Sequence, residues 1–340
     1  DSTVSGTTII LKSNLDASKE TLSDGEAAFG TGEKGVKYLK TTKIVTIKSE
    51  SDEKYLLPFG LNINSDGASG NPSALVLENL KINAPAGSFG LVTSNNCDGK
   101  ITSVNVPGCE FTIPPAKTGS TQVAAISLQQ ITCDAAVKDC IFSIGADKGN
   151  QYASAVMIWN GDKITLENNT VNGYARFANI DGSKTVSIKE NTGTNMVGPL
   201  TIGDDVKGGM FVNIATTQLN GNAQRYIESF EMTGNSISGD SGFIPAQIYP
   251  STTNPTGVTK FTADCDLVVK GPLKVNGQMK VDGNITTQSE VDNVVPSIAV
   301  EENGELTIPA KKTLTIEKST SMEVEGKLTV AEKATVTVSG

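Results

Sequence analysis

The stretch that decides the fold of this chain is ITLENNTV, residues 164–171. Its pattern of apolar-x-apolar-x-x-Asn-x-apolar returns, in whole or in part, as VSIKEN at residues 186–191 and as FEMTGNSI at residues 230–237. The first two copies begin 22 residues apart, and the third begins 44 residues after the second. A phrase that recurs at such a period is typical of a repeat architecture in which successive coils stack on one another.

The chemistry of this phrase predicts a coil built from short parallel strands. Two apolar residues at positions i and i+2 place both side chains on one face of a strand. The Asn that follows, at 169, 191 and 235, can adopt a left-handed turn that most residues resist, and stacked Asn side chains can hydrogen-bond along the axis. We therefore interpret Asn169, Asn191 and Asn235 as structural. About a dozen coils of about 22 residues predict a rod on the order of 55 Å, with one diverged coil near Met210.

About the last 80 residues carry a shorter version of the repeat. Apolar-x-apolar pairs recur every six residues over 267–283 and every eight residues over 298–324. Steps of 22 residues reappear in the pairs Leu306–Leu328 and Leu314–Val336. Three short strands per coil predict a solenoid of triangular cross-section, and the constant period favours it over a meandering β-sandwich.

The stretch PSTTNPTGV at residues 250–258 is the one clear linker-like segment of the sequence. We place there the boundary between a parallel β-helix, residues 1–258, and a short-rung β-solenoid, residues 259–340. An open solenoid end must be covered. Because residues 16–38 are rich in Ala, Glu, Lys and Gly, we expect them to cap the first coil or to form an exposed loop, with the cap region within about residues 1–40. The predicted fold class is all-β.

Composition excludes several classes of function. The 340 residues carry a formal net charge of −9 and a pI of about 4.8, with no basic stripe that could neutralise nucleic-acid phosphates. The chain contains no histidine, which excludes Ser-His-Asp and Cys-His nucleophilic machinery and ordinary zinc enzymes. No apolar run reaches 18 residues, so no membrane-spanning segment is predicted.

Five cysteines, Cys97, Cys109, Cys133, Cys140 and Cys265, lack the paired spacing of a zinc site. Cys109 and Cys133 are 24 residues apart, about one coil, so a disulfide between neighbouring coils is one alternative. A second alternative is a short loop closed by Cys133 and Cys140. Free buried thiols are the third alternative. The odd number leaves at least one thiol unpaired unless chains are cross-linked.

The apolar-x-apolar-x-x-Asn-x-apolar coils resemble right-handed parallel β-helix proteins of the pectin lyase-like superfamily. The segment LTIPAKKTLTI, residues 306–316, resembles repeat segments of bacterial surface adhesins. The resemblance covers about residues 40–340 and implies a right-handed parallel β-helix with a C-terminal β-solenoid. It implies no particular chemistry, because the superfamily includes lyases, glycosidases, esterases and non-enzymatic adhesins.

The enzymatic branches of that superfamily have motifs that can be compared with this sequence. Polygalacturonase-like enzymes resemble one another in an Asn-Thr-Asp, Asp-Asp, Gly-His-Gly, Arg-Ile-Lys series, of which only Asp204-Asp205 is present. The Asp, Gln and Arg cluster of pectin methylesterase-like enzymes is not recognisable. Pectate lyase-like enzymes use an Arg or Lys base with acidic calcium ligands, and neither Arg176 nor Arg225 lies in such a motif. The sequence therefore favours a protein that is not an enzyme.

Two segments contain candidate binding residues. The adjacent carboxylates of Asp204 and Asp205 are a calcium candidate, because calcium prefers hard oxygen ligands, although a plain turn has the same composition. Arg225 lies beside Tyr226 and near Glu228, which would suit an acidic sugar. The alternative for Arg225 is a surface ion pair.

Two further candidates lie in the middle of the chain. Arg176 has the same two alternatives as Arg225. Trp159 is the only tryptophan and could stack on a sugar ring. Because Met157-x-Trp159 has the alternation of core residues, we interpret Trp159 as a buried residue of the core.

These observations favour a non-enzymatic protein of the secreted class or of the bacterial cell surface, an adhesin or a scaffold that displays a binding face. Its expected partner is a glycan or a host or cell-surface protein, with no cofactor other than calcium, and a monomer is favoured. The alternative is a pectin lyase-like carbohydrate-active enzyme or glycan-binding module acting on acidic polysaccharide. A phage- or capsid-type spike is a third alternative. Since Asp1 is not preceded by a signal segment, we expect the export signal to have been removed.

Overall fold

The chain folds as a stack of parallel β-strands. The computed structural model describes residues 8–16, 29–31, 37–41, 46–63, 73–84, 89–93, 101–113, 124–129, 131–144, 153–198, 200–202, 205–207, 209–216, 227–250, 256–270, 272–288 and 297–339. Within these ranges there are strands and turns but no helix. The strands form three long sheets of 14, 13 and 7 strands, which we call sheets A, B and C. The predicted class, an all-β parallel β-helix or β-solenoid, is confirmed.

Sheet A runs along the whole stack. Its strands are β1 (Thr8–Leu11), β4 (Thr46–Ser49), β7 (Ser73–Glu78), β10 (Ile101–Pro107), β13 (Asp134–Lys138), β16 (Lys163–Glu167), β19 (Thr185–Lys189), β24 (Ile227–Thr233), β27 (Thr256–Ala263), β29 (Leu273–Val281), β31 (Ile298–Val300), β32 (Glu305–Ile308), β34 (Met322–Val324) and β35 (Lys327–Val330). Every described pairing within this sheet is parallel, and from β1 to β29 the chain crosses other sides of the coil between consecutive strands of the sheet.

Sheet B runs beside it over nearly the same length. Its strands are β2 (Phe29–Thr31), β3 (Lys37–Thr41), β6 (Gly60–Ile63), β9 (Leu91–Thr93), β12 (Ala124–Leu128), β15 (Ser154–Trp159), β18 (Arg176–Asp181), β23 (Met210–Thr216), β26 (Ile244–Pro250), β28 (Leu267–Lys270), β30 (Ile285–Gln288), β33 (Thr313–Ile316) and β36 (Thr335–Val338). Only β2 and β3 pair antiparallel, and this hairpin forms the N-terminal edge of the sheet within the expected cap region.

Sheet C covers the third side over the middle of the chain. Its strands are β5 (Tyr55–Leu57), β8 (Leu80–Asn83), β11 (Glu110–Thr112), β14 (Ile141–Ser143), β17 (Thr170–Asn172), β20 (Thr192–Met196) and β25 (Ser236–Gly239). A separate antiparallel hairpin consists of β21 (Leu200–Ile202) and β22 (Asp205–Lys207). A complete coil in this region therefore passes from sheet A through sheet C to sheet B.

The length of a coil is not constant. Ile164 pairs in register with Val186, but Val186 pairs directly with Phe230. The 44 residues between the second and third copies of the phrase therefore form one coil, and the predicted diverged coil near Met210 is wrong. Met210 begins β23, which lies on sheet B of that same coil. The extra residues include the β21–β22 hairpin, so insertions lengthen a coil without disturbing its strand register.

The last coils have three strands each, as the sequence predicts. The coil β31–β32–β33 is followed by β34–β35–β36, and Leu306 pairs with Leu328 while Leu314 pairs with Val336. The expected domain boundary after residue 258 falls inside β27. Since β27 pairs with β24 on one side and β29 on the other, sheet A is continuous across it. The division into two domains stays a prediction.

The interior is filled by columns of aliphatic and aromatic side chains. Phe111 and Phe142 stack with ring centroids 5.2 Å apart, and Phe177 and Phe211 continue the column with centroids 4.9 Å apart. All four rings are fully buried. Burial of such a side chain contributes roughly 1.5–3 kcal/mol, so these columns supply much of the driving force for stacking.

Candidate functional site

A single column of polar side chains joins the coils at the turn between sheets A and C. We call this column the ladder, and it consists of Cys109, Cys140, Asn169, Asn191 and Asn235. The amide nitrogen Nδ2 of Asn169 donates to the carbonyl oxygen of Val137 and to Oδ1 of Asn191, both at 2.9 Å. The Nδ2 of Asn191 donates to Leu166 O at 3.0 Å and to Oδ1 of Asn235 at 2.9 Å. Each amide thus links three successive coils, and the interpretation of these Asn residues as structural agrees with these bonds.

The left-handed conformation lies one residue earlier than the sequence predicts. Asn168, Glu190 and Gly234 have φ values of 53°, 56° and 70°. They immediately precede the ladder residues, whose own φ values are not positive. The prediction that Asn169 and its equivalents are left-handed is therefore wrong. The preceding residue turns the chain, which leaves the ladder side chain directed into the stack for hydrogen bonding.

Two cysteines occupy ladder positions that sequence reasoning missed. The thiol of Cys140 donates to Val106 O at 3.1 Å, and the thiol of Cys109 donates to Leu77 O at 3.4 Å. In their own coils, the carbonyls of Val106 and Leu77 occupy the same position as the carbonyls of Val137 and Leu166, which accept hydrogen bonds from the Asn amides. The signal was present, because each cysteine follows an apolar-x-apolar pair at the same distance as Asn169 does. A thiol is a weaker donor than an amide but fits the same buried corner.

The ladder cysteines are free thiols. Both disulfide alternatives, Cys109 with Cys133 and Cys133 with Cys140, are therefore wrong, and the alternative of free buried thiols is confirmed for Cys109 and Cys140. Burial raises the pKa of Cys140 to about 12 and also raises the pKa of Cys109, with a further contribution from the neighbouring Cys140. Cys97 lies outside the described residues.

We expect native Cys140 to resist alkylation. A pKa near 12 instead of 9 lowers the thiolate fraction at pH 8, and with it the rate of reaction with iodoacetamide, by about 1,000-fold. Because the folded chain keeps this thiol protonated, its contribution to stability is complete below pH 9. That contribution is lost as the pH rises from about 9 to about 12. Peptide-level mass spectrometry after labelling native and guanidinium-unfolded protein measures the rate, and rapid labelling of native Cys140 would contradict the buried position.

The outer face of sheet B carries a second polar column. Asn213 Nδ2 donates to Oδ1 of Asn179 at 2.7 Å, and Gln247 Nε2 donates to Oδ1 of Asn213 at 2.9 Å. Since Ala178 and Ile180 belong to the apolar core, strand alternation places Asn179 on the opposite face. Asn179 and Gln247 are nevertheless 8% and 6% exposed, so this part of the outer face is covered.

Trp159 lies on that same outer face and not in the core. Val156 and Ile158 of β15 belong to the apolar core, which turns Trp159 outward and leaves it half-buried. The interpretation of Trp159 as a core residue is therefore wrong. The inward-facing positions of this strand are one residue earlier, at Val156 and Ile158. Trp159 is in register with Asp181 of the next coil, which is buried. Trp159 and the buried Asp181 thus lie on the same face of adjacent strands.

The other predicted site residues do not join this pair. Arg176 is buried and begins β18, five positions before Asp181, which is about 16 Å along an extended strand. Arg225, Tyr226 and Asp204 lie outside the described residues. The backbone of Asp205 pairs with Ile202 in the β21–β22 hairpin.

The described residues contain no group of three or more Asp, Glu or Cys side chains that could hold a metal ion. Calcium binding at Asp204 and Asp205 stays a prediction, because Asp204 is not among them. In the part of the chain that the structure describes, no helix has the length and apolar character needed to cross a membrane. No protein-family model, curated protein or solved structure was found to match the chain.

Proposed function

We propose that the chain is a non-enzymatic secreted or cell-surface protein in which the parallel β-helix is a rod that carries a binding face, as in adhesins. The observation that carries this proposal is the continuity of sheet A. Twelve of its strands follow one another from β1 to β34. At about 4.8 Å per step they span roughly 50 Å. Such a stack suits a protein whose task is to hold a surface at a distance.

Polar side chains between coils support the same proposal. The side-chain amides of Asn169 and Asn191 bond to the coils on either side. Ion pairs join neighbouring coils on the surface, among them Lys189–Glu231 at 2.7 Å and Lys274–Glu301 at 3.2 Å. Exposed pairs contribute little individually, but alternating signs avoid like-charge repulsion along the rod. The ladder amides and these ion pairs thus help to hold neighbouring coils together.

A second candidate function is glycan recognition of the pectin lyase-like type. The observation that favours it is the half-buried Trp159, which faces outward from sheet B. The part of the Trp159 ring that is exposed can stack on a sugar ring. We place the glycan-binding surface of the rod around Trp159, and the acidic-polysaccharide enzyme of the same family type remains the competing proposal.

A binding and cleavage screen tests the proposed function. The purified chain is incubated with acidic and neutral polysaccharides, with and without calcium, and assayed for retention on immobilised glycan and for polymer length. Binding without shortening of the polymer is the expected result. Loss of polymer size or new unsaturated ends that absorb in the ultraviolet would contradict a non-enzymatic protein. If no glycan is retained, binding to a panel of cell-surface proteins and to whole cells tests the adhesin proposal itself, and no binding in any arm would contradict it.

Replacing Trp159 with alanine is expected to weaken glycan binding by about 10-fold, which corresponds to about 1.4 kcal/mol of lost stacking. The matched control is Trp159→Phe, which keeps an aromatic face and is expected to retain most of the affinity. Isothermal titration with the glycan from the screen measures both variants. Equal affinity of the alanine variant and the wild-type chain would place the binding surface elsewhere.

A further inference from the structure

Sheet C ends in the middle of the chain. Its last strand, β25, pairs with β20 on one side, and no strand of the described chain pairs with its other side, which we call the free edge. In the coil that contains β25, the chain leaves sheet A at Thr233 and enters sheet B at Ile244. In the next coil, whose residues 256–270 are all described, the chain leaves sheet A at Ala263 and enters sheet B at Leu267 across a single corner. β25 therefore projects beyond the coil that follows it.

The backbone of β25 can accept a further strand at its free edge. The N–H of Ser236 donates to Asn191 O at 2.9 Å, towards β20. Because N–H groups alternate in direction along a strand, that of Ile237 points to the free edge. Ser236, Ser238 and Gly239 are exposed, so the strand is open to solvent. It contains no charged residue and no proline, which natural sheets use to protect an edge.

Apolar side chains beside the free edge are incompletely covered. Ile237 is in register with Gly193 and, one coil earlier, with Val171, which is fully buried, yet Ile237 itself is only half-buried. Phe243 and Cys265 are also half-buried and pack against the same core. A strand added at the free edge would continue the column and cover Ile237.

Carboxylates lie at both ends of the free edge. Asp240 directly follows β25, and Asp264 and Asp266 flank Cys265 in the next coil. Oδ2 of Asp264 accepts a hydrogen bond from the N–H of Gly234 at 2.6 Å, which places this carboxylate near the start of β25. All three carboxylates are exposed, and within the described part of the chain none of them pairs with a lysine or arginine. Their negative charge favours a partner with basic residues.

We propose that the free edge of β25 binds an extended segment of another protein, which adds a strand to sheet C. Backbone hydrogen bonds to Ile237 supply the pairing, and alternate apolar side chains of the segment cover Ile237. Lys or Arg residues at the ends of the segment face the three carboxylates. The partner is therefore a strand-forming apolar segment flanked by basic residues. This proposal is independent of the proposed function, because Trp159 lies on sheet B and β25 lies on sheet C.

A pool of synthetic peptides tests this proposal. The pool contains short end-blocked peptides with Lys at both ends and Val, Ile and Thr in varied order between them. The pool is passed over the immobilised full chain, and the affinity of each retained peptide is measured by fluorescence anisotropy. We expect saturable binding, which becomes about 10-fold weaker or more when Glu replaces Lys in the same peptides. If no peptide is retained, or if the Glu peptides bind equally well, the proposal is wrong.

Substitution of Ile237 tests whether the peptide pairs with this edge. Ile237→Pro removes the N–H at the free edge but leaves the hydrogen bond of Ser236 to β20, and it is expected to abolish peptide binding. The matched control is Ile237→Val, which keeps the N–H and is expected to bind within about 3-fold of the wild type. Circular dichroism checks that both variants fold. Unchanged affinity of a folded Ile237→Pro variant would overturn the proposal.

Removal of charge tests the basic character of the partner. The double variant Asp264→Asn with Asp266→Asn keeps an oxygen acceptor at both positions, and it is expected to raise the peptide Kd about 10-fold. The matched control is Asp52→Asn with Glu53→Gln, which removes the same charge from exposed residues beside β5, at the opposite end of sheet C. Equal effects of the two double variants would contradict a local role of the carboxylates.

Sedimentation velocity of the full chain distinguishes a foreign segment from a second copy of the chain. We expect a wild-type monomer of 35.5 kDa. A wild-type chain that self-associates, and that Ile237→Pro converts to a monomer, would show that a second copy occupies the free edge and would overturn the proposed partner.

Discussion

Asn191→Ala is expected to lower the free energy of unfolding by about 3–5 kcal/mol. The side chain of Asn191 is fully buried and makes four hydrogen bonds. Its loss leaves the carbonyl of Leu166 and the backbone N–H of Asn169 without partners inside the stack. A buried donor or acceptor without a partner costs far more than the net gain of one hydrogen bond. Guanidinium unfolding followed by circular dichroism measures the change.

Two variants separate the ladder from a general effect of removing an amide. Asn191→Cys is expected to lose about half as much stability as Asn191→Ala, because the thiol of Cys140 already donates to a strand carbonyl in an equivalent position. Asn172→Ala removes an exposed amide that bonds Asn195 at 2.8 Å, and is expected to cost less than about 1 kcal/mol. If Asn191→Ala and Asn172→Ala have equal effects, the ladder is not a stabilising element.

The stacking of coils is predictable because its physical requirement is visible in the sequence. An interior column needs an apolar residue at the same place in each coil, as Ile164, Val186 and Phe230 show. The steps from Leu306 to Leu328 and from Leu314 to Val336 are in register for the same reason. The cysteine positions of the ladder have this spacing as well. The role of these cysteines as hydrogen-bond donors is not predicted, because a cysteine in a sequence usually indicates a disulfide partner or a metal ligand.

The coil lengths and the orientation of Trp159 depend on geometry that the repeat pattern of the sequence does not encode. An insertion such as the β21–β22 hairpin lengthens a coil at no cost to strand register, so coil number cannot be obtained from chain length. The orientation of Trp159 depends on which of two consecutive apolar residues faces inward, and the run from Ala155 to Trp159 is apolar throughout. The neighbours of Trp159 on the outer face come from the next coil, so the pair with Asp181 becomes visible only in the register.

Gly304→Ala is expected to lower the free energy of unfolding by about 3 kcal/mol or more. Gly277, Gly304 and Gly326 form a column at one corner of successive coils, directly before the registered residues Gln278, Glu305 and Lys327. A Cβ on Gly304 would lie 2.0 Å from the carbonyl oxygen of Val275, which belongs to the previous coil. Because that atom is backbone, no change of side-chain rotamer relieves the clash, and the coils must separate at this corner.

Gly108→Ala is the control for this steric argument. Gly108 has a φ of 66°, and a methyl group added there would have no neighbouring atom within 4 Å, so alanine carries only the conformational penalty of about 1–2 kcal/mol. Thermal and guanidinium unfolding of the two variants compare backbone crowding with backbone conformation directly. If Gly304→Ala lowers the free energy of unfolding no more than Gly108→Ala does, the coils have room to move apart at the corner that contains Gly304. If it costs clearly more, close backbone approach is what excludes every residue but glycine from that column.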